Sequence, residues 1–261
     1  MTAIDSHVPS RKPVIRTITA DDVYGALAAG WDDFRAVPAF GLFFGGVYAF
    51  LGIAIFLTLW AIDQTFWIVP FAFAFPLVGP FVAVGLYEVS RRREEGLPLD
   101  ASEILAVVWN KRNSQIPSMA FVVLAGAMVW MWAASILVIL FLGRLGGYSD
   151  LGAILGSPNG IALVVVGTIV GGVIAFVLFA VTAVSLPMLL DRDVDYVTAM
   201  LTSVRAVTSN PQPMLHWAWI VGAALVVAML PVFLGLVVAL PVLGHGTWHL
   251  YRRVIAPEGG A

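Results

Sequence analysis

The sequence predicts an all-α, polytopic membrane protein with six transmembrane helices, built as three repeats of an interfacial amphipathic helix plus a transmembrane hairpin. Three observations predict it: composition, the placement of the few charges, and a recurring pattern. Of 261 residues, 60% are apolar and 11% charged, far below the roughly 25% charged usage of a soluble domain. Almost all basic residues fall between apolar stretches in a way that obeys the positive-inside rule. The ends of the second and last apolar stretches also look alike.

The first twenty residues, "MTAIDSHVPSRKPVIRTITA", lack the apolar core of a signal peptide and are expected to form a flexible cytoplasmic tail. Residues 21–253 read as a single membrane domain and 254–261 as a C-terminal tail. Four uncharged stretches, Ala39 to Ile62, Phe66 to Tyr87, Met119 to Leu142 and Ile161 to Leu190, are each long enough to cross about 30 Å of hydrocarbon at 1.5 Å per residue. The run from Leu215 to Tyr251 also lacks Asp, Glu, Lys and Arg. It is too long for one span and barely long enough for two, and Pro231 lies near its middle.

Charge decides for two. With six spans and the N-terminus inside, Arg144 is the only one of the 14 Lys and Arg residues left outside, whereas five spans would export Arg252 and Arg253. Both termini are then cytoplasmic. Aligning Pro80 with Pro241 supports the same count: "PFVAVGLYEVSRRR" lies on "PVLGHGTWHLYRRV", so that Tyr87 meets Trp248, and Arg91 and Arg92 meet Arg252 and Arg253. Before each hairpin comes a segment that begins acidic, turns amphipathic and ends on Pro38, Pro117 or Pro211. The repeats run from about 21 to 93, 100 to 192 and 193 to 253. Val23, Leu27, Trp31 and Phe34 form one helical stripe, and Val197, Met200, Leu201 and Val204 another. Thr19 with Asp22, and Asp100 with Glu103, have capping-box spacing.

Little in the chain carries chemistry. Zero cysteines exclude disulfides, thiolate metal sites and cysteine nucleophiles. A formal net charge of -2 gives no basic footprint for nucleic acid. No Walker loop, Rossmann fingerprint, G-x-S-x-G elbow or H-E-x-x-H helix occurs, and the chain is expected not to be an enzyme. Glu88 is the one carboxylate at the edge of a span, three residues before Arg91, and reads as a partner of the Arg91, Arg92 and Arg93 cluster.

His245 and His249 stand four apart near the end of the last span, and His216 starts the span before it, all toward the cytoplasmic side. One reading makes them ligands of a haem or copper. The blander reading, which the neighbouring Trp217 and Trp248 favour, places them at headgroup level. No metal and no cofactor is expected. Trp31, Trp109, Trp217 and Trp248 fit an inner aromatic belt, and Trp60 and Trp67 an outer one. Trp130 and Trp132 sit in mid-span, where at least one is expected to pack against a helix or a partner. Gly41 with Gly45, and Gly167 with Gly171, allow close helix approach. Pro70, Pro76 and Pro80 predict a bent second span.

The blocks "DDVYGALAAGWDDFRAVPAFGLFFGGVYAFLGIAI" and "FPLVGPFVAVGLYEVSRRREEGLP" resemble an uncharacterised family of bacterial integral membrane proteins, a domain of unknown function, over roughly Ile18 to Ile255. The resemblance implies no established activity and no catalytic residues. Some members carry the automatic label cytochrome c oxidase subunit I. That subunit holds its haems and copper on a set of intramembrane histidines that three candidates at one membrane surface do not match, so the label implies association with a respiratory complex at most.

The leading expectation is therefore a non-enzymatic accessory, assembly or scaffold protein of the bacterial inner membrane. Its partners would be the lipid bilayer and other membrane proteins. A channel or carrier for a small neutral or lipid-like molecule is the alternative, and a haem or metal-binding redox protein the third.

Overall fold

The computed structural model describes residues 13–64, 67–75, 79–107, 115–143, 152, 154 and 156–257. Among the described residues the regular structure is helical throughout, apart from one isolated β-bridge. The elements are α1 (Ala20–Ala36), α2 (Pro38–Ala61), α3 (Ile68–Ala74), α4 (Gly79–Glu94), α5 (Ala101–Ala106), α6 (Ile116–Leu142), α7 (Pro158–Thr182), α8 (Ser185–Asp191), α9 (Tyr196–Ser209), α10 (Pro211–Met229) and α11 (Leu236–Val254). Helices α2, α6, α10 and the α7–α8 run are long and apolar enough to cross a membrane, so this is an integral membrane protein with several spans.

Local chemistry sets the boundaries. Asp22 accepts hydrogen bonds from both the amide (2.8 Å) and the hydroxyl (3.0 Å) of Thr19 at the start of α1. Asp100 caps α5 by accepting from the Ser102 and Glu103 amides. Here the expected reciprocal box is not completed, because Glu103 turns to Arg92 instead, at 2.6 Å. Pro38, Pro158 and Pro211 open α2, α7 and α10, where a missing N–H costs nothing. Gly143 ends α6 in the left-handed conformation, φ 79°.

The last apolar run is indeed two helices. α10 and α11, 19 residues each, are joined by a turn through Leu230 to Gly235 that holds Pro231 and bends at Val232 and Phe233, both with positive φ. The expected second span holds α3 and α4; residues 76–78 between them, Pro76 included, lie outside the described residues, and the expected bend with them. The expected fourth span is divided, between α7 and α8. Pro187 has no N–H to give the Ala183 carbonyl and its ring crowds that carbonyl. Ser203 of α9 repairs the gap, its Oγ accepting from the Val184 amide (3.1 Å) and donating to the Ala180 carbonyl (2.7 Å).

Helix α11 is the hub, packed most extensively on α1, α2 and α4 and also on α8 and α10. Its partners reach it through small residues. On α2 the buried face is Gly41, Gly45, Tyr48, Ala49 and Gly52, while Phe43, Phe50 and Leu57 point outward. Against hydrocarbon, apolar burial gains little, so close backbone approach and hydrogen bonding hold helices together.

Toward the charged ends of α4, α8 and α11 the packing is denser. Trp217, Trp248, Tyr251, Leu186, Met188 and Met214 are all but fully buried in one cluster.

The two amphipathic helices differ in what covers their stripes. In α1, Val23 and Phe34 are buried inside the protein rather than against lipid, Leu27 is half-buried and Trp31 is exposed. In α9 the buried face is Ala199, Thr202, Ser203, Ala206 and Val207, and the stripe residues Val197 and Leu201 are exposed. Small and hydroxyl side chains let α9 lie close to α7 and α8.

The end of the N-terminal segment is not loose. Ile15 and Ile255 form an antiparallel bridge, with Arg16 donating to the Val254 carbonyl (2.8 Å) and Ala256 to the Val14 carbonyl (3.0 Å).

Candidate functional site

The polar centre of the molecule lies where α1, α4 and α11 meet. Close approach there has a residue-level cause. Val23, Ala26, Gly30 and Asp33 recur at spacings of three and four, so Asp33 shares the small-residue face that α1 turns to α11. Asp33, Ser90 and His245 are all buried, and the His249 side chain is one-fifth exposed. The Ser90 hydroxyl stands 2.6 Å from Asp33 Oδ2 and 2.7 Å from His245 Nδ1. His249 Nε2 lies 2.8 Å from the same Oδ2, and Arg93 pairs with Oδ1. Burial alone would raise the Asp33 carboxyl. The hydrogen bonds from His249 and Ser90 and the attraction of the two imidazoles outweigh it, and hold the group below its ordinary value of 3.8.

These contacts fix the proton positions. An ionised Asp33 only accepts, so Ser90 donates to it and His249 donates through Nε2. With its single proton spent, Ser90 accepts from His245, which must carry its proton on Nδ1. The other ring nitrogen, Nε2, is then a bare acceptor; it is buried and has no hydrogen-bond partner. The order differs from a hydrolytic triad, where imidazole sits between hydroxyl and carboxylate. Here the hydroxyl sits in the middle, its proton already committed to a carboxylate.

Around this junction the charges are paired. Glu88 binds Arg91 through both oxygens (2.8 Å each) and also receives Arg92 (2.6 Å), the arrangement its spacing predicts. Arg252 bridges Glu94 (3.0 Å) and Asp191 (3.4 Å). Trp248 donates its indole N–H to Glu94 at 3.0 Å, and Tyr251 its hydroxyl to Asp191 at 2.5 Å. Arg253 donates to the His249 carbonyl at 3.1 Å. The arginines that set the orientation in sequence terms thus also knit α4, α8 and α11.

The three candidate histidines do not form one constellation. His216 is engaged by the Tyr24 hydroxyl at 3.1 Å, edge-on to its ring, while His245 and His249 turn to Asp33. Among the described residues, no group of three or more His, Asp or Glu side chains is placed to hold a metal ion. Asp33 and Ser90 went unremarked in the sequence. The signal for Asp33 was its register with Ala26 and Gly30; nothing local marks Ser90.

The remaining candidates are spread along the helices. Trp217 is buried and lies over Gly246. Trp31 is exposed, with Arg35 above its ring. Trp109 lies outside the described residues. Gly41 and Gly45 face Pro241 and Val237 of α11, Gly171 faces Trp130 of α6, and Gly167 faces open space. The two mid-span tryptophans part company. Trp130 is buried and donates to the Pro70 carbonyl at 3.0 Å, whereas Trp132 is 73% exposed.

No curated protein and no solved structure matches the chain. Residues 68–191, from α3 to the end of α8, match the family described as "Predicted integral membrane protein (DUF2189)".

Proposed function

We propose that the chain crosses the bacterial cytoplasmic membrane six times, with both termini in the cytoplasm, and serves as a non-enzymatic accessory, assembly or scaffold protein for another membrane protein. Three successive units support the topology, each a short helix followed by a helical hairpin: α1 with α2 and α3–α4, α5 with α6 and α7–α8, and α9 with α10 and α11. The placement of the basic residues supports its orientation.

The observation that carries the functional reading is the outward face of α6. Phe121, Met128 and Trp132 are each more than 70% exposed and recur near helical spacing. Aromatic residues and Met are enriched where proteins meet. Trp132 brings an indole N–H to mid-span, where lipid tails offer no acceptor and a partner helix does. The resemblance to proteins labelled as an oxidase subunit extends the reading to a respiratory complex as the partner.

Purification from native membranes in a mild detergent tests this. Oxidase subunits and haem absorbance are expected to follow the wild-type protein and to be lost with Trp132→Ala. A chain that consistently emerges alone would sink the proposal.

A further inference from the structure

The hydrogen-bonded series at the α1–α4–α11 junction has a direction. His245 Nδ1 donates to Ser90 over 2.7 Å and Ser90 donates to Asp33 over 2.6 Å. Beyond Asp33, His249 leads outward to a side chain that is one-fifth exposed. At the inner end, His245 is completely buried and its Nε2 has no hydrogen-bond partner; the Leu86 carbonyl also faces the ring.

We infer that His245, Ser90 and Asp33 form a proton relay, with the bare Nε2 of His245 as its inner terminus and Asp33, beside His249, as its outer one.

One proton from hydronium bonds to Nε2, leaving water. The Nδ1 proton passes to Ser90 Oγ as Ser90 passes its own to Asp33 Oδ2. The products are a neutral imidazole protonated on Nε2, an unchanged serine hydroxyl and a neutral carboxylic acid, so one proton enters and one is delivered. The charged and titratable groups facing the ring are Asp33 from α1, Arg93 from α4 and His249 from α11. Arg93 holds Asp33 Oδ1, leaving Oδ2 to receive the proton. Glu88 is turned to Arg91 and Arg92 and takes no part. Chains of ionisable side chains within a membrane protein are the usual material of such relays. The inference is independent of the scaffold reading, because its test needs no partner protein.

Nitrogen NMR of the full-length protein, with ¹⁵N-labelled histidine in lipid nanodiscs, tests it. Near neutral pH His245 is expected to be protonated on Nδ1 and bare on Nε2. Its ring proton is expected to exchange with water on the order of a hundredfold more slowly in Ser90→Ala and in Asp33→Asn. His216, bonded to Tyr24, keeps its rate in both. A wild-type His245 protonated on Nε2 would overturn the relay outright, with no variant needed. So would exchange that is as fast in both variants as in the wild type.

Discussion

Gly30 of α1 and Gly246 of α11 meet backbone to backbone. A Cβ placed on Gly30 would lie 2.5 Å from the Gly246 amide nitrogen and 2.6 Å from the Val242 carbonyl oxygen. Neither neighbour is a side chain that can swing aside. Gly30→Ala is therefore expected to push α1 off α11 and cost about 1–3 kcal/mol. Gly46→Ala meets nothing within 4 Å and is expected to be neutral or to gain up to about 1 kcal/mol of helix propensity. Thermal melts in detergent compare the two; an unchanged Gly30→Ala would refute the close contact.

Asp33→Asn removes the charge that receives Arg93, His249 and Ser90, and is expected to cost about 1–3 kcal/mol at neutral pH. The folded carboxyl titrates below its ordinary 3.8, so its contribution is fully present above that value. It is lost as pH falls through the lower, folded one. Melting wild type and variant side by side from neutral pH downward should show the gap closing only in strong acid. A gap that closes near pH 6 would contradict the assignment.

Glu88→Gln leaves Arg91 and Arg92 with their outer partners, Glu95 and Glu103, but without the buried one. The arginines are partly exposed, so the loss is expected to be about 1–3 kcal/mol rather than the full cost of stranding a buried charge. Because the carboxylate itself is buried, added salt should recover little of it. A variant as stable as wild type would show that the pair contributes nothing net.

Ser203→Ala strips the Val184 amide of its acceptor at the α7–α8 break. An unsatisfied buried N–H costs about 1–3 kcal/mol. Thr208→Ala, exposed on the same helix, is expected to stay within about 0.5 kcal/mol. Hydrogen exchange read by mass spectrometry should show faster exchange around residues 183–186 in the first variant alone.

The chain has no cysteine, so single cysteines report topology cleanly. Six crossings place Gln64 outside and Asp193 inside. In intact cells an impermeant maleimide should label Gln64→Cys at once and Asp193→Cys only after permeabilisation. Equal labelling of both would remove the proposed arrangement.

What the sequence made legible were features set by neighbours along the chain. The prolines that open α2, α6 and α10, the Thr19 cap, the two arms of the final hairpin and the pairing of Glu88 with Arg91 all act over a few residues. The break between α7 and α8 was not foreseen. Pro187 signals it, but a serine from another helix makes it tolerable. Asp33 was hidden for a related reason: a carboxylate on an amphipathic helix is normally solvated, and its partners at Ser90, His245 and His249 are distant in sequence. Trp130 and Trp132 are equally apolar in context, and only the position of α3 decides that the first is covered.

The pairing of Ile15 with Ile255 carries a consequence for counting. Two backbone segments that share hydrogen bonds occupy the same side of the membrane, whichever side that is. Between Ile15 and Ile255 the chain then crosses an even number of times. This parity owes nothing to arginines or hydropathy, and it supports the proposed six crossings over five.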